Sequence, residues 1–208
     1  MTNMLEGELA CSWDLDDTLI AREAAARAFS TVKSIVRSNE LPILTPDDLP
    51  SVSREIDISP LSGRGEIFAF QRHAMREVMP GVQEVLEYRQ AMGAVHFGNT
   101  GRPNKAAWVE MSHETLKRGG ISHLLKEVYF TRKGMKTAIS KAAWVKELKV
   151  RFEHVEHTDD NEETARLISL LFPHDKCYLI QYGFWGFAYL SKDPPNLRRI
   201  SVIQETVA

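Results

Sequence analysis

Short apolar runs alternate with amphipathic stretches over most of the chain. Runs of three to five apolar residues are typical of buried strands, whereas apolar residues three and four positions apart indicate helices. The predicted strands lie at 8–15, 94–97, 128–131, 150–156 and 177–180, and 197–203 is a candidate for a further strand. The helices predicted between them lie at 82–92, 103–117, 136–148 and 161–172. This alternation predicts an α/β fold with a doubly wound parallel sheet and helices on both faces.

One segment, residues 21–79, does not show this alternation of strands and helices. Residues 21–38 have apolar side chains at helical spacing, 41–60 are rich in proline, and a second helix is predicted from Glu66 to about Met79. The segment therefore reads as a small, mostly helical insertion between the first and second strands. The predicted core is the rest of the chain, residues 1–20 and 80–208.

Composition narrows the class of protein. The 208 residues are 43% hydrophobic and 26% charged, as in a globular domain of ordinary size. A net charge of −2 argues against a general nucleic-acid or anionic-membrane binder. The sequence shows neither a secretory leader nor an apolar run of the roughly 18 residues that span a membrane, so the expected location is cytoplasmic. Cys11 and Cys177 lie in strand-like segments and are expected to be buried, inert thiols.

The first predicted strand ends in a cluster of acids. Asp14 and Asp16 are two positions apart, so in an extended strand they project from the same face. Asp17 follows, and the nearest basic residue along the chain is Arg22. Like charges about 4 Å apart repel by roughly 4 kcal/mol at an effective dielectric near 20. Such a cluster must be solvated, partly protonated or bound to a cation, although the motif alone also suits the start of a helix.

Three further polar motifs follow predicted strands or open predicted helices. Thr100-Gly101-Arg102 follows the second strand, Asp159-Asp160 follows the fourth, and a lysine opens the helix after the third. Each alone also fits a turn, a helix cap or a solvated lysine. The carboxyl ends of parallel strands meet at one edge of a sheet, so we expect these motifs to converge.

This order of acid, hydroxyl, lysine and acid resembles the haloacid-dehalogenase-like superfamily, whose members are mostly magnesium-dependent phosphohydrolases. The resemblance covers residues 8–20 and about 80–203. Its most specific part is the apolar strand followed by Asp14-Leu15-Asp16-Asp17-Thr18-Leu19. Val95 to Thr100 matches the second motif, although His96 interrupts an otherwise apolar strand, and Thr158 precedes the paired acids where an apolar residue or glycine is more frequent.

The resemblance implies a Rossmann-like core with a cap over the site, and a role for each motif residue. Asp14 would be the nucleophile that carries the phosphoryl group, and Asp16 the general acid and base. Thr100 and Gly101 would bind phosphate. The metal would be Mg²⁺, held by Asp159, Asp160, Asp14 and the backbone carbonyl of Asp16.

The third motif of the family is a single lysine, which makes its assignment weak. Lys136, at the head of the predicted helix, is the expected residue that neutralises Asp14 and phosphate, with Lys133 and Lys141 as alternatives. In the insertion, Arg64, Arg72 and His73 are candidates for substrate contact.

The sequence favours a phosphatase acting on a small phosphorylated substrate. Its histidines lack the spacing of a zinc site. Dehalogenase members lack the second acid of the first motif, which Asp16 supplies here. A phosphomutase and a non-catalytic relative remain as alternatives, and the substrate and oligomeric state stay open.

Overall fold

Six parallel strands form one sheet in the order β3-β2-β1-β4-β5-β6. The computed structural model describes residues 7–21, 44–181 and 193–207. The strands are β1 (Gly7–Trp13), β2 (Val95–Pro103), β3 (Leu125–Thr131), β4 (Phe152–Asp159), β5 (Cys177–Ile180) and β6 (Leu197–Ile200). The predicted doubly wound parallel sheet is therefore confirmed.

Five α-helices are present in the described residues, and four of them cover the two faces of the sheet. They are α1 (Arg64–Ala74), α2 (Val82–Ala91), α3 (Ala106–Arg118), α4 (Thr137–Lys149) and α5 (Glu162–Leu171). The buried side chains of α4 and α5 pack on one face, and those of α2 and α3 pack on the other. Short 3₁₀ helices are formed by Pro46–Asp48, Ser122–Leu124 and Ile203–Val207.

The topology places the carboxyl ends of β1 and β4 side by side. β1 pairs with β2 on one side and with β4 on the other, so the direction of strand progression reverses between β1 and β4. The Asp14 backbone N–H also donates to the Thr158 carbonyl at 2.9 Å, which extends the pairing beyond β1. Ligands of open α/β sheets bind at such a reversal point.

The turn after β1 is held by hydrogen bonds to Leu15. The backbone N–H groups of Leu19 and Ile20 donate to the Leu15 carbonyl at 3.0 and 2.7 Å. Asp17 sits in the turn with φ 63°, a left-handed conformation that costs free energy for most residues and that aspartate tolerates better than most. The turn directs the Asp16 side chain away from β4, toward the insertion and the end of β2.

The two ends of the insertion run next to each other. The Ala21 N–H donates to the Glu77 carbonyl, and the Met79 N–H donates to the Leu19 carbonyl, both at 2.9 Å. The helix predicted to reach Met79 therefore ends earlier, at Ala74, because the chain must straighten to pair with residues 19–21. The helix predicted at 21–38 lies almost entirely outside the described residues, and the domain boundaries remain predictions.

The insertion does not lie wholly over the site. Leu49 is buried in the hydrophobic cluster of α4 and α5, with Leu44 and Val52 packed against it. Among the described residues of the insertion, His73 in α1 and Arg76 just after it contact Asp16, which follows β1. None of the described helices is long and apolar enough to cross a membrane.

Candidate active site

A buried lysine joins the carboxyl ends of β1 and β4. Lys141 Nζ lies 2.6 Å from Asp14 Oδ1 and 2.7 Å from Asp159 Oδ2. Asp14 directly follows β1, Asp159 ends β4, and Lys141 lies in the second turn of α4, which packs on this face of the sheet. All three side chains are at most 5% exposed. The sequence motifs far apart along the chain therefore meet here.

The lysine that contacts Asp14 is Lys141, whereas the sequence predicts Lys136. Lys136 is the exposed N-cap residue of α4, and Lys133 is 87% exposed, within 3.9 Å of Asp57. Lys141 is the one that reaches Asp14, because it lies on the face of α4 turned toward the sheet. Its neighbours in sequence offered a signal: Lys141 is followed by Ala142, Ala143, Trp144 and Val145, and a lysine in so apolar a run is a candidate for burial.

Three carboxylates form a cluster that could hold a cation. One oxygen each from Asp14, Asp159 and Asp160 lie within 4.8 Å of one another. Asp160 is half-buried, whereas the other two are buried. The side chain of Asp16 is not part of this cluster, and the expected metal contact of its backbone carbonyl stays a prediction.

Asp16 lies against two arginines and a histidine instead. Arg102, from the end of β2, donates from Nε to Oδ2 at 3.0 Å and from Nη2 to Oδ1 at 2.7 Å. Arg76, just after α1, donates from Nη1 to Oδ1 at 2.7 Å, and His73 Nδ1 lies 3.4 Å from the same oxygen. A bidentate guanidinium pair of this kind is among the stronger charge-assisted interactions in proteins.

The insertion and α3 are packed together around these cations. The His73 ring meets the edge of Trp108 with centroids 5.2 Å apart, and Phe70 meets the same indole at 5.5 Å. Lys105, the N-cap residue of α3, pairs with Glu66 of α1 at 2.9 Å. These contacts hold α1 against the site. Of the insertion residues expected to approach substrate, His73 lies at the site, whereas Arg64 is exposed at the start of α1.

Thr100 and Gly101 lie on β2, just beyond the Trp13–Gly98 pair. The Thr100 hydroxyl oxygen accepts the Arg102 backbone N–H at 3.2 Å, and the Thr100 carbonyl accepts the Thr131 hydroxyl at 3.0 Å. A Cβ at Gly101 would lie 2.8 Å from Thr137 Cγ2, so a larger residue there would have to displace the Thr137 side chain at the start of α4. The hydroxyl is thus fixed at the edge that carries the acids.

The two acids of the first motif have opposite pKa shifts. Burial raises the pKa of Asp14 to about 7, with Lys141 opposing the shift and Asp159 adding to it. Burial also acts on Asp16, but Arg102 and His73 outweigh it and hold the pKa of Asp16 well below its usual value. For Asp159, Lys141 and His157 outweigh burial and lower the pKa. The pKa of Lys141 is raised by the two acids despite burial.

Sequence reasoning missed several side chains around the site. Arg102 was noted only as part of a motif, and Arg76 was not singled out. The buried polar residues Ser12, Asn99 and His157 were likewise not assigned to the site, although Ser12 and Asn99 interrupt apolar strands and His157 lies two positions after the buried Val155 of β4. That interruption was the available signal, because a polar side chain in a central strand needs a buried partner.

Compared with family models and with curated sequences, the chain gives no match. Solved structures do match it. The L-2-haloacid dehalogenase RSc1362 is similar with a TM-score of 0.59 and 12% identity, over 97% of both chains. The Mycobacterium tuberculosis protein tyrosine kinase A, PtkA, is similar with a TM-score of 0.54 and 14% identity, over 97% of both chains.

A candidate β-phosphoglucomutase from Thermotoga maritima is similar with a TM-score of 0.53 and 15% identity, over 86% of this chain and 88% of that one. At identities this low, the structural similarity establishes the fold and leaves the reaction open. The fold, the strand order and the converging motifs agree with one another. The chain therefore has the haloacid-dehalogenase-like fold that its motifs predict.

Proposed function

We propose that the chain is a Mg²⁺-dependent phosphohydrolase that cleaves small phosphate monoesters through an aspartyl phosphate on Asp14. The observation that carries this proposal is the buried Asp14 carboxylate at the reversal point of the sheet, 2.6 Å from Lys141 Nζ. Phosphoryl transfer needs an in-line nucleophile and neutralised charge, and both are available at this point.

The donor set fits a hard divalent cation. Asp14, Asp159 and Asp160 offer three carboxylates, and Lys141 pairs with two of them, Asp14 and Asp159. Burial, with a contribution from the nearby Asp159 and Asp16 carboxylates, raises the pKa of Asp14 to about 7 against the opposing effect of Lys141. All-oxygen carboxylate ligands favour Mg²⁺ over zinc. These three residues would hold the ion, which would neutralise phosphate charge when bound.

The covalent steps can be assigned to this chain's own groups. An Asp14 carboxylate oxygen forms a bond to phosphorus while the bond from phosphorus to the ester oxygen breaks, and Asp16 gives a proton to the departing alkoxide. Asp16 then takes a proton from water as the water oxygen bonds to phosphorus, and the bond to Asp14 breaks. Phosphate leaves, Asp14 is restored, and Asp16 is again protonated. General acid–base help of this kind contributes about 10²–10⁴-fold.

Asp16 is not poised to donate a proton in the present arrangement. Arg102 and His73 hold the pKa of Asp16 well below its usual value, so the group is a carboxylate, and Arg76 also donates to it. Guanidinium groups bind phosphate oxygens as well as they bind carboxylates. An arriving phosphate would therefore compete with Asp16 for Arg76 and His73, the two partners that come from the insertion. Arg102 Nη1 also donates to Ser112 Oγ at 2.9 Å, and Asp16 regains the proton that it donates only once phosphate draws on Arg102 as well.

Phosphate binding would fall to Lys141, Thr100 and Gly101. Lys141 would neutralise a phosphoryl oxygen as well as Asp14, and the Thr100 hydroxyl hydrogen remains available, since that oxygen accepts rather than donates its described bond. The exposed Gly101 backbone lies next to it. Lys141 replaces Lys136 in this assignment.

A phosphomutase is the second candidate, and one observation favours it. The cations around Asp16 would slow water activation, and a long-lived aspartyl phosphate suits transfer to a second substrate hydroxyl. Dehalogenation is less consistent with the site, because that reaction does not require a second acid at the position of Asp16.

The proposal is tested by assaying hydrolysis of p-nitrophenyl phosphate, then of a panel of phosphorylated metabolites, nucleotides and phosphopeptides, with and without Mg²⁺. Acid-quenched enzyme is digested to find the phosphorylated peptide. We expect Mg²⁺-dependent turnover and phosphate on the peptide that contains Asp14. A phosphoenzyme that forms but releases phosphate only when a second sugar phosphate is added would indicate the mutase. Failure of the whole panel to react would contradict both.

A further inference from the structure

A layer of buried polar side chains lies beneath the site and has no part in the steps above. It consists of Ser12 on β1, Asn99 on β2 and His157 on β4, each fully buried. Ser12 is two positions before Asp14, and His157 is two positions before Asp159, so strand alternation puts each on the same face as that carboxylate. The hydrogen bonds of this layer connect β1, β2, β4 and α4.

Hydrogen bonds run through this layer in one direction. Asn99 Nδ2 donates to Ser12 Oγ at 3.2 Å and to the Lys141 backbone carbonyl at 3.0 Å. Ser12 Oγ lies 3.0 Å from His157 Nδ1, and His157 Nε2 lies 3.1 Å from Asp159 Oδ2. A carboxylate can only accept, so Nε2 must carry the proton. Nδ1 then accepts the Ser12 hydroxyl.

These hydrogen bonds determine which acceptor sites of the Asp159 carboxylate remain free. Its Oδ2 accepts from both Lys141 Nζ and His157 Nε2, and its Oδ1 accepts the Asn161 backbone N–H at 2.9 Å. A carboxylate has about four acceptor sites. Three are used, and the one left over is on Oδ1.

We propose that His157 is a positioning residue, which fixes the Asp159 carboxylate through its Nε2–H so that Oδ2 holds Lys141 and Oδ1 is presented to a cation. Partners that orient a ligating carboxylate from behind typically contribute 10- to 100-fold in metal affinity. The kinetic part of this inference rests on the proposed function, whereas its metal-binding part does not. The competing explanation is that His157 and Ser12 only satisfy each other's hydrogen bonds within the core.

Two matched substitutions test the two ring nitrogens of His157 separately. His157→Gln keeps an N–H donor near the position of Nε2 and loses the acceptor for Ser12. His157→Asn keeps an acceptor near the position of Nδ1 and loses the donor to Asp159. Both variants bury one amide, so a role in folding alone predicts similar effects. His157→Phe removes both groups.

The experiment is calorimetric titration of each variant with Mg²⁺ alone, alongside its melting temperature. We expect the affinity to fall at least about tenfold in His157→Asn and His157→Phe, and to stay within about threefold of wild type in His157→Gln. With substrate, kcat should follow the same order while KM changes little. If His157→Phe does not fold, the comparison of His157→Gln with His157→Asn still tests the inference.

Equal Mg²⁺ affinities for the Gln and Asn variants, or affinities that simply follow melting temperature, would overturn the inference. So would a wild-type chain that binds no Mg²⁺. A wild-type chain that binds Mg²⁺ with the expected ranking of variants, yet hydrolyses no phosphate ester, would refute the proposed function and leave the positioning role of His157 in place.

Discussion

Asp14 and Asp16 are two residues apart in one motif, yet the groups around them differ in the sign of their charge. Asp14 shares its space with Asp159 and Asp160 and has one buried cation, Lys141. Asp16 instead lies against Arg102 and Arg76, with His73 nearby. Burial raises the pKa of Asp14 to about 7, whereas the cations hold the pKa of Asp16 well below its usual value.

The difference comes from which elements supply the partners. The partners of Asp14 come from the core, on α4 and at the end of β4. Those of Asp16 come from the end of β2 and from the insertion, which joins the core next to the motif. One half of the site is thus anionic and built by the core, and the other is cationic and built partly by the insertion. The predictions below test this division, beginning with the largest expected effect.

Removing the charge of Asp14 should abolish activity. In Asp14→Asn we expect turnover of p-nitrophenyl phosphate to fall at least about 10³-fold, because the amide is a poor nucleophile. Asp47→Asn is the matched control, since that side chain is fully exposed, and its activity should not change. Activity of Asp14→Asn at the wild-type level would refute the assigned nucleophile.

Lys141 and Lys136 provide a direct test of the corrected assignment. Lys141→Met should lower activity about 10²–10³-fold, because one of the charges that stabilises the transition state is lost. It should also lower the free energy of unfolding by about 3 kcal/mol, since two buried carboxylates lose their partner. Lys136→Met should leave both quantities near wild type because Lys136 is exposed. Activity assays and urea denaturation measure the two effects, and equal losses in the two variants would contradict the assignment.

Asp16 should affect the chemistry more than metal binding. Asp16→Asn removes the proposed proton carrier and keeps the backbone carbonyl, so we expect a loss of at least ~10² in kcat. Mg²⁺ affinity, measured by calorimetry, should be largely retained. A collapse of Mg²⁺ affinity would show that the anionic and cationic halves are not separate.

Arg76 should act through substrate binding. Replacing it with methionine removes one charge-assisted hydrogen bond from the cationic half, and we expect KM for phosphate esters to rise about tenfold. Arg64→Met, at the exposed start of α1, is the control. An unchanged KM in Arg76→Met would mean that this arginine does not transfer from Asp16 to phosphate.

His96 extends the comparison to a buried titratable group that belongs to neither half of the site. Trp13 Nε1 donates to its Nδ1 at 3.1 Å, and its Nε2 faces the Leu86 carbonyl at 2.8 Å, so the ring is neutral. Burial lowers its pKa to about 4. The folded state then binds fewer protons than the unfolded state below about pH 6.5.

Stability should therefore be complete above about pH 6.5 and decline as pH falls toward 4, by up to about 3 kcal/mol from this residue. Urea denaturation across this range measures the decline. His96→Leu should flatten the decline, and an identical pH dependence in the variant would show that other groups cause it.

The sequence by itself determined the fold class and most of the site. The alternating strand and helix pattern predicted the parallel sheet, because periodicity reports which face of each element is buried. The motifs at 14–16, 100–102 and 159–160 lie at carboxyl ends of parallel strands, which any such sheet brings to one edge. Both Cys11 and Cys177 are buried free thiols, as expected.

Only the tertiary structure decided which side chains pair. Lys136 and Lys141 lie five residues apart near the start of one helix, so the choice between them depends on how α4 rotates against the sheet. The cations around Asp16 come from residues 60 and 86 positions away. Spacing along a chain fixes the direction of a side chain within its own element, whereas contacts between distant elements depend on packing that local sequence does not encode.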